Sequence, residues 1–288
     1  MTKYFFILAF TISIFSAKSQ IINDSILIEG HYRTFHFLKP AKANASVIFV
    51  LHGSGGNGLQ NRNGAKKLEA IAPTENILLV YPDGYKKFWN ECRKTANSAA
   101  NLENINENAF FGSMLGYFKE HYQIDDKKVF AVGTSGGGHM AYKLGLTMPE
   151  KFRAITAIIA NLPDTNNLDC VEKHVSIPVM IINGTIDKVN PYEGGEVIIQ
   201  NNLSLGFVRS TNRTFEYWSS LAGYKGNPKM ENMLDNDPND GKTIERYTFK
   251  EQNKPEVTLL KVIGGKHDYP NDIDVYLEAW EFFKRQMK

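Results

Sequence analysis

Short, uninterrupted apolar runs constrain this chain most: ASVIFVLHG, NILLVYPDG, KVFAVGTSG, FRAITAIIAN and IPVMIINGT, each stopping at Gly, Asn or Asp. They are rich in Val and Ile and lack the polar alternation of a half-solvated strand, so they suit a parallel sheet buried on both faces. Segments of helical period separate most of them, at Gln60–Ala72, Leu102–Tyr122 and Gly136–Met148. Alternating strand and helix predicts an α/β fold with a mostly parallel central sheet and helices on both faces. Before these runs, SILIEGHYRTFHFLKP alternates around Gly30 as a two-stranded edge ribbon would. After them come a helix over Thr211–Leu221, a polar loop GNPKMENMLDNDPNDGKT, a hairpin of TIERYTF with EVTLLKVIG, and an amphipathic closing helix in DIDVYLEAWEFFKRQM. No internal repeat or second domain is visible, and one domain over residues 20–288 is expected.

Residues 1–19 read as a signal peptide: Lys3, an apolar run from Tyr4 to Phe15, then Ala17 and Ser19 spaced for cleavage before Gln20. A membrane anchor would need roughly 20 apolar residues. Removing Lys3 and Lys18 leaves 31 of the 33 basic residues against 31 acidic ones, so the mature chain is neutral. That balance carries no electrostatic footprint for nucleic acid or an anionic membrane. The expected location is secreted, extracellular or periplasmic. Cys92 and Cys170 have no zinc-ligand spacing; in an exported chain they form one bridge or remain two separate thiols.

In KVFAVGTSG the residues Gly133-Thr134-Ser135-Gly136-Gly137 form G-x-S-x-G between a strand and a helix. The glycines allow the sharp turn that lifts a serine hydroxyl to the carboxyl end of the sheet. A phosphate-binding turn would need a Lys-Ser/Thr pair at Walker spacing or a dinucleotide fingerprint, and neither is present. A serine hydroxyl is a weak nucleophile until a base takes its proton, so Ser135 needs a histidine and a carboxylate. Asp187, in the loop after Pro178–Ile182, is the expected acid, ahead of Asp164 and Asp169. His267, in GGKHDYP after Val257–Ile263, is the expected base, ahead of His52, His139 and His174. The oxyanion of the tetrahedral intermediate needs two preset N–H donors, expected from Gly136 and from Ser54 in LHGSGGNG. No metal or cofactor is called for.

These ordered motifs resemble an α/β-hydrolase of the polyhydroxybutyrate depolymerase and feruloyl esterase type, carbohydrate esterase family 1 in the broad sense. LHGSGGNG is similar to its oxyanion loop, YPDG with Trp89-Asn90 to its next strand and pocket loop, and VGTSGGGHMAYKL to its nucleophile elbow. NGTIDKVNPYEGG resembles its acid loop, LDNDPNDGKTIERYTF its late hairpin approach and GGKHDYP its histidine loop. The resemblance implies the same Ser135, Asp187, His267, Ser54 and Gly136. Three departures stand out: Ser54 where the family often has Cys, Asn106-Glu107 where it commonly has an acidic pair, and Asp268-Tyr269-Pro270 in place of Thr-Trp-Pro.

The resemblance implies a secreted serine esterase acting on feruloyl or acetyl esters of plant polysaccharides, with a polyhydroxybutyrate depolymerase-like esterase as the alternative. Trp89 and Tyr269 are the aromatic residues available to stack on an acyl group or sugar. A peptidase shares the acylation chemistry, and a non-catalytic carbohydrate-binding protein would normally lack a member of the triad.

Overall fold

The computed structural model describes residues 20–199 and 202–287; the expected signal peptide at 1–19 lies outside them. In chain order the strands are β1 (Ile21–Ile28), β2 (His31–Leu38), β3 (Ser46–Leu51), β4 (Ile77–Pro82), β5 (Val129–Thr134), β6 (Ala154–Ile158), β7 (Val179–Gly184), β8 (Gly195–Ile199), β9 (Leu203–Val208), β10 (Lys229–Asn232), β11 (Thr243–Phe249) and β12 (Val257–Ile263). The helices are α1 (Gly58–Asn61), α2 (Lys66–Glu75), α3 (Ala99–Leu102), α4 (Glu107–Tyr122), α5 (Gly136–Thr147), α6 (Thr211–Leu221) and α7 (Val275–Arg285).

Ten strands form one sheet in the order β1-β2-β4-β3-β5-β6-β7-β12-β11-β10. The run from β4 to β12 is parallel throughout, and antiparallel strands flank it on both sides. Successive side chains of a strand point to opposite faces, and both faces are filled here. Val47, Phe49 and Leu51 of β3 join Phe110, Met114, Met140 and Trp218 beneath α4, α5 and α6. Ile48 and Val50 join Leu68, Ala279, Trp280 and Phe283 beneath α2 and α7. This two-sided burial accounts for the continuous apolar runs.

Three expectations need correction. The helical run from Gln60 splits into α1 and α2 around Asn63-Gly64, and the run from Leu102 splits where Asn106 caps α4 through Ala109 N. Part of the expected polar loop after Gly226 is β10, an edge strand paired with β11. The hairpin β8–β9 was not expected at all. It is fastened to neighbouring loops through Asn167, whose Nδ2 donates to the Phe207 carbonyl and whose Oδ1 accepts from Thr95 N and Oγ1. Cys92 and Cys170 form a disulfide between the loops after β4 and β6, with Cα atoms 5.1 Å apart.

Candidate active site

Ser135 lies between β5 and α5 with φ +54° and ψ −118°, a backbone conformation rare for a residue with a side chain. Such strain costs roughly 1–3 kcal/mol and persists only where the surroundings enforce it. Close packing enforces it here. A Cβ on Gly133 would sit 2.0 Å from the Gly137 carbonyl oxygen, and one on Gly137 would sit 2.2 Å from that of Leu51. Ser135 N donates to the Ile158 carbonyl (2.8 Å), which ties the elbow to β6.

From this elbow a chain of hydrogen bonds runs through side chains far apart in sequence. Ser135 Oγ is 3.0 Å from His267 Nε2, and His267 Nδ1 is 2.7 Å from Asp187 Oδ2. The second carboxylate oxygen of Asp187 accepts from Val189 N (2.8 Å) and Asn190 N (2.9 Å), so the loop after β7 clamps it in one orientation. The Asp187 side chain is 1 % exposed and that of His267 is 24 % exposed. A buried acceptor therefore holds one ring nitrogen while the ring edge near Ser135 stays accessible.

The loop after β3 closes the other side. A Cβ on Gly136 would lie 2.9 Å from Ser54 N, so the Ser54 amide and the first turn of α5 are in direct apposition. His52, which the sequence offered only as a strand-end residue, fastens this loop. Its Nδ1 is 2.8 Å from the Gly53 carbonyl, and Gly84 N donates to its Nε2 at 2.8 Å. Burial lowers the His52 pKa, which favours the neutral ring that this donor and acceptor pair requires.

Trp89 corrects an expectation. It is 2 % exposed, packs on His52 and Phe111, and donates from Nε1 to the His52 carbonyl (2.9 Å). No face remains for stacking on a ligand; Trp89 braces the loop instead. Tyr269 is half-buried, and its hydroxyl turns inward to Thr134 and Tyr276. The other candidates lie outside the chain of hydrogen bonds. Asp164 caps a 3-10 turn, Asp169 flanks the disulfide, His174 is exposed beside Glu172, and His139 is buried in α5.

Sequence reasoning also missed a buried pair, Arg33 with Glu107 (2.9 Å, 2 % and 0 % exposed). Glu107 accepts from Asn90 N, and Arg33 donates to the Asp83 carbonyl, so together they hold both ends of the loop that carries Gly84 and Trp89. A groove of about 980 Å³ opens at the amino ends of β5, β6, β7 and β12, and no residue of the Ser135 cluster lines it. In sheets of this kind chemistry gathers at the carboxyl ends.

A family model described as phospholipase/carboxylesterase matches residues 34–220. The chain belongs to that family. Ser135 and Asp187 lie inside the matched stretch and His267 beyond it. The chain is 24 % identical over 266 residues to a bifunctional acetylxylan esterase/xylanase of Neocallimastix patriciarum, covering 91 % of the chain and 35 % of that protein. It is 29 % identical over 163 residues to feruloyl esterase C of Emericella nidulans, covering 55 % of the chain and 54 % of that protein. It thus spans about a third and about half of these relatives. Among solved structures, the acetyl xylan esterase from Aspergillus awamori superposes with a TM-score of 0.60 at 16 % identity, covering 91 % of this chain and 99 % of that one. The fold is that of the α/β-hydrolases.

Proposed function

We propose that residues 20–288 form one catalytic domain of an exported serine esterase that cleaves feruloyl or acetyl esters of plant polysaccharides. The unbroken hydrogen-bond chain from Ser135 through His267 to Asp187 carries this proposal. Ser135 Oγ attacks the ester carbonyl carbon while His267 Nε2 takes its proton, and Asp187 keeps Nδ1 protonated and stabilises the resulting imidazolium. The amides of Ser54 and Gly136 receive the oxyanion at the start of α5, where the helix N-terminus favours negative charge. The alkoxide leaves with the proton from His267. Water, deprotonated by His267, then attacks the acyl-Ser135 ester and releases the acid.

The substrate class is supported by the activities named for the fungal relatives and by the partial exposure of Ser135 and His267, which an ester carried on a bulky polymer requires. Export is supported by the Cys92–Cys170 disulfide, which persists in oxidising compartments. Among the described residues no helix is long and apolar enough to cross a membrane. The test is hydrolysis of p-nitrophenyl acetate, methyl ferulate and acetylated xylan by the mature protein and by Ser135→Ala. Turnover of methyl ferulate or release of acetate from xylan, abolished by the substitution, is expected. Turnover of p-nitrophenyl acetate alone would retain the esterase and reject the polysaccharide assignment.

A further inference from the structure

Behind Ser135, three hydroxyls meet. Thr134 Oγ1 is 2.7 Å from Tyr269 Oη and 3.2 Å from Tyr276 Oη, and the two phenol oxygens are 3.2 Å apart. Tyr276 donates to Asn61 Oδ1 (3.4 Å), and the Asn61 amide is oriented by its own Nδ2 donating to the Val50 carbonyl (3.3 Å). That orientation makes Tyr276 the donor to Asn61, so Tyr276 accepts from the hydroxyls of Thr134 and Tyr269, which share one hydrogen bond with each other. Burial raises the Tyr276 pKa well above that of an ordinary phenol, so its proton stays in place.

The four residues come from the four segments that must keep register at the site. Thr134 immediately precedes Ser135. Tyr269 lies two residues beyond His267, and its carbonyl accepts from Lys242 Nζ (3.2 Å). Asn61 reaches Val50, two residues before His52 and the Ser54 loop. Tyr276, from α7, is 1 % exposed and joins the other three. A tryptophan at 269, as in the family pattern, has no hydroxyl to enter this network.

Resting on the esterase reading above, the geometry points to Tyr269 as a positioning residue: its hydroxyl, bonded to Thr134, sets the distance between His267 and Ser135. Tyr269 touches no reacting atom, and it acts by holding the histidine loop against the nucleophile elbow. Placement of a base within a few tenths of an ångström affects the chemical step more than substrate capture. The effect should therefore fall on kcat.

The experiment compares Tyr269→Phe, Thr134→Val, the double variant and Thr134→Ser. It reads kcat and KM for p-nitrophenyl acetate, the rate of phosphonylation by a fluorophosphonate probe, and the thermal midpoint. Each of the first two should lower kcat and the phosphonylation rate about tenfold, with KM within about twofold of the parent. The double variant should lose little more than either alone, because both remove the same Thr134–Tyr269 hydrogen bond. Thr134→Ser, which keeps the hydroxyl, should restore kcat to within about twofold of the parent. A Tyr269→Phe protein with parental kcat, single losses that multiply in the double variant, or a loss that follows the thermal midpoint and spares Thr134→Ser no better than Thr134→Val would overturn the inference. In each of those cases the parent still hydrolyses esters through Ser135. A parent that neither hydrolyses the ester nor takes up the probe would overturn the esterase reading and this inference together.

Discussion

Replacing Asp187 by Asn tests the proton bookkeeping of the site with almost no change of shape. Asp187 Oδ1 accepts from two backbone N–H groups, those of Val189 and Asn190, so an asparagine keeps its carbonyl oxygen there. Its NH2 group must then take the place of Oδ2, 2.7 Å from His267 Nδ1. An amide donor at that position forces Nδ1 to accept, which moves the ring proton to Nε2. That nitrogen can no longer take the proton of Ser135 Oγ, 3.0 Å away. Fixing the wrong tautomer of a catalytic histidine costs about 10³–10⁴ in kcat, or roughly 4–5.5 kcal/mol of barrier. Because both backbone bonds survive, stability should change by no more than about 1–2 kcal/mol. Steady-state kinetics with p-nitrophenyl acetate, alongside urea unfolding, measure the two quantities separately. An Asp187→Asn protein that folds and keeps kcat within about tenfold of the parent would refute the tautomer reasoning.

Other outcomes follow from the same geometry. Ser54→Ala keeps the amide and should leave kcat within about threefold, whereas Gly136→Ala drives a methyl group into the Ser54 hydroxyl and to 2.9 Å from Ser54 N and should cost about 10²–10³ in kcat; equal losses in ester kinetics would contradict the use of the amide alone. Cys92→Ser with Cys170→Ser opens a link across 78 residues and should destabilise the fold by at most about 4.5 kcal/mol in denaturant unfolding. An unchanged unfolding midpoint in the double variant would argue against the bridge. Burial raises the Asp83 pKa, but bonds from His36, Thr34 and Gly58 N outweigh it and hold the value at about 2. The folded value lies below the unfolded one, so the stabilisation is full above about pH 4 and fades as the pH falls toward 2. Allowing for partial exposure it amounts to about 1–2 kcal/mol. Asp83→Asn should therefore trail the parent at pH 7 and converge with it near pH 2 in urea titrations.

The legible parts of this chain were those governed by local patterns. Double-sided burial shows as uninterrupted Val and Ile, so β3 to β7 could be read from the sequence, and β11 with β12 as a hairpin. The tight strand-to-helix turn demands glycine at 133 and 137, so Ser135 could be read as well. Asp187 and His267 follow apolar strands in loops, and that order singled out two residues that the structure brings into one hydrogen-bond chain with Ser135. What failed depended on long-range contacts or weak local signals. Lys229–Asn232 is a polar edge strand with no buried face to pattern it. The hairpin of β8 and β9 opens on Gly194 and Gly195, carries Gly206 inside β9, all at positive φ, and has a register shift between Glu196 and Ile198. Trp89 looked like a loop aromatic because its burial comes from His52 and Phe111, 37 and 22 positions away. The roles of His52, Arg33 and Tyr269 rest on partners that no local spacing reveals.

The proposed chemistry requires Ser135 to be the nucleophile, activated by His267. Its most direct test is peptide mapping by mass spectrometry after brief exposure of residues 20–288 to a fluorophosphonate probe, in parallel with Ser135→Ala and His267→Ala. A single adduct is expected on the peptide bearing Ser135, none in Ser135→Ala, and labelling slowed by orders of magnitude in His267→Ala. An adduct on another residue, or equal labelling in all three proteins, would contradict it.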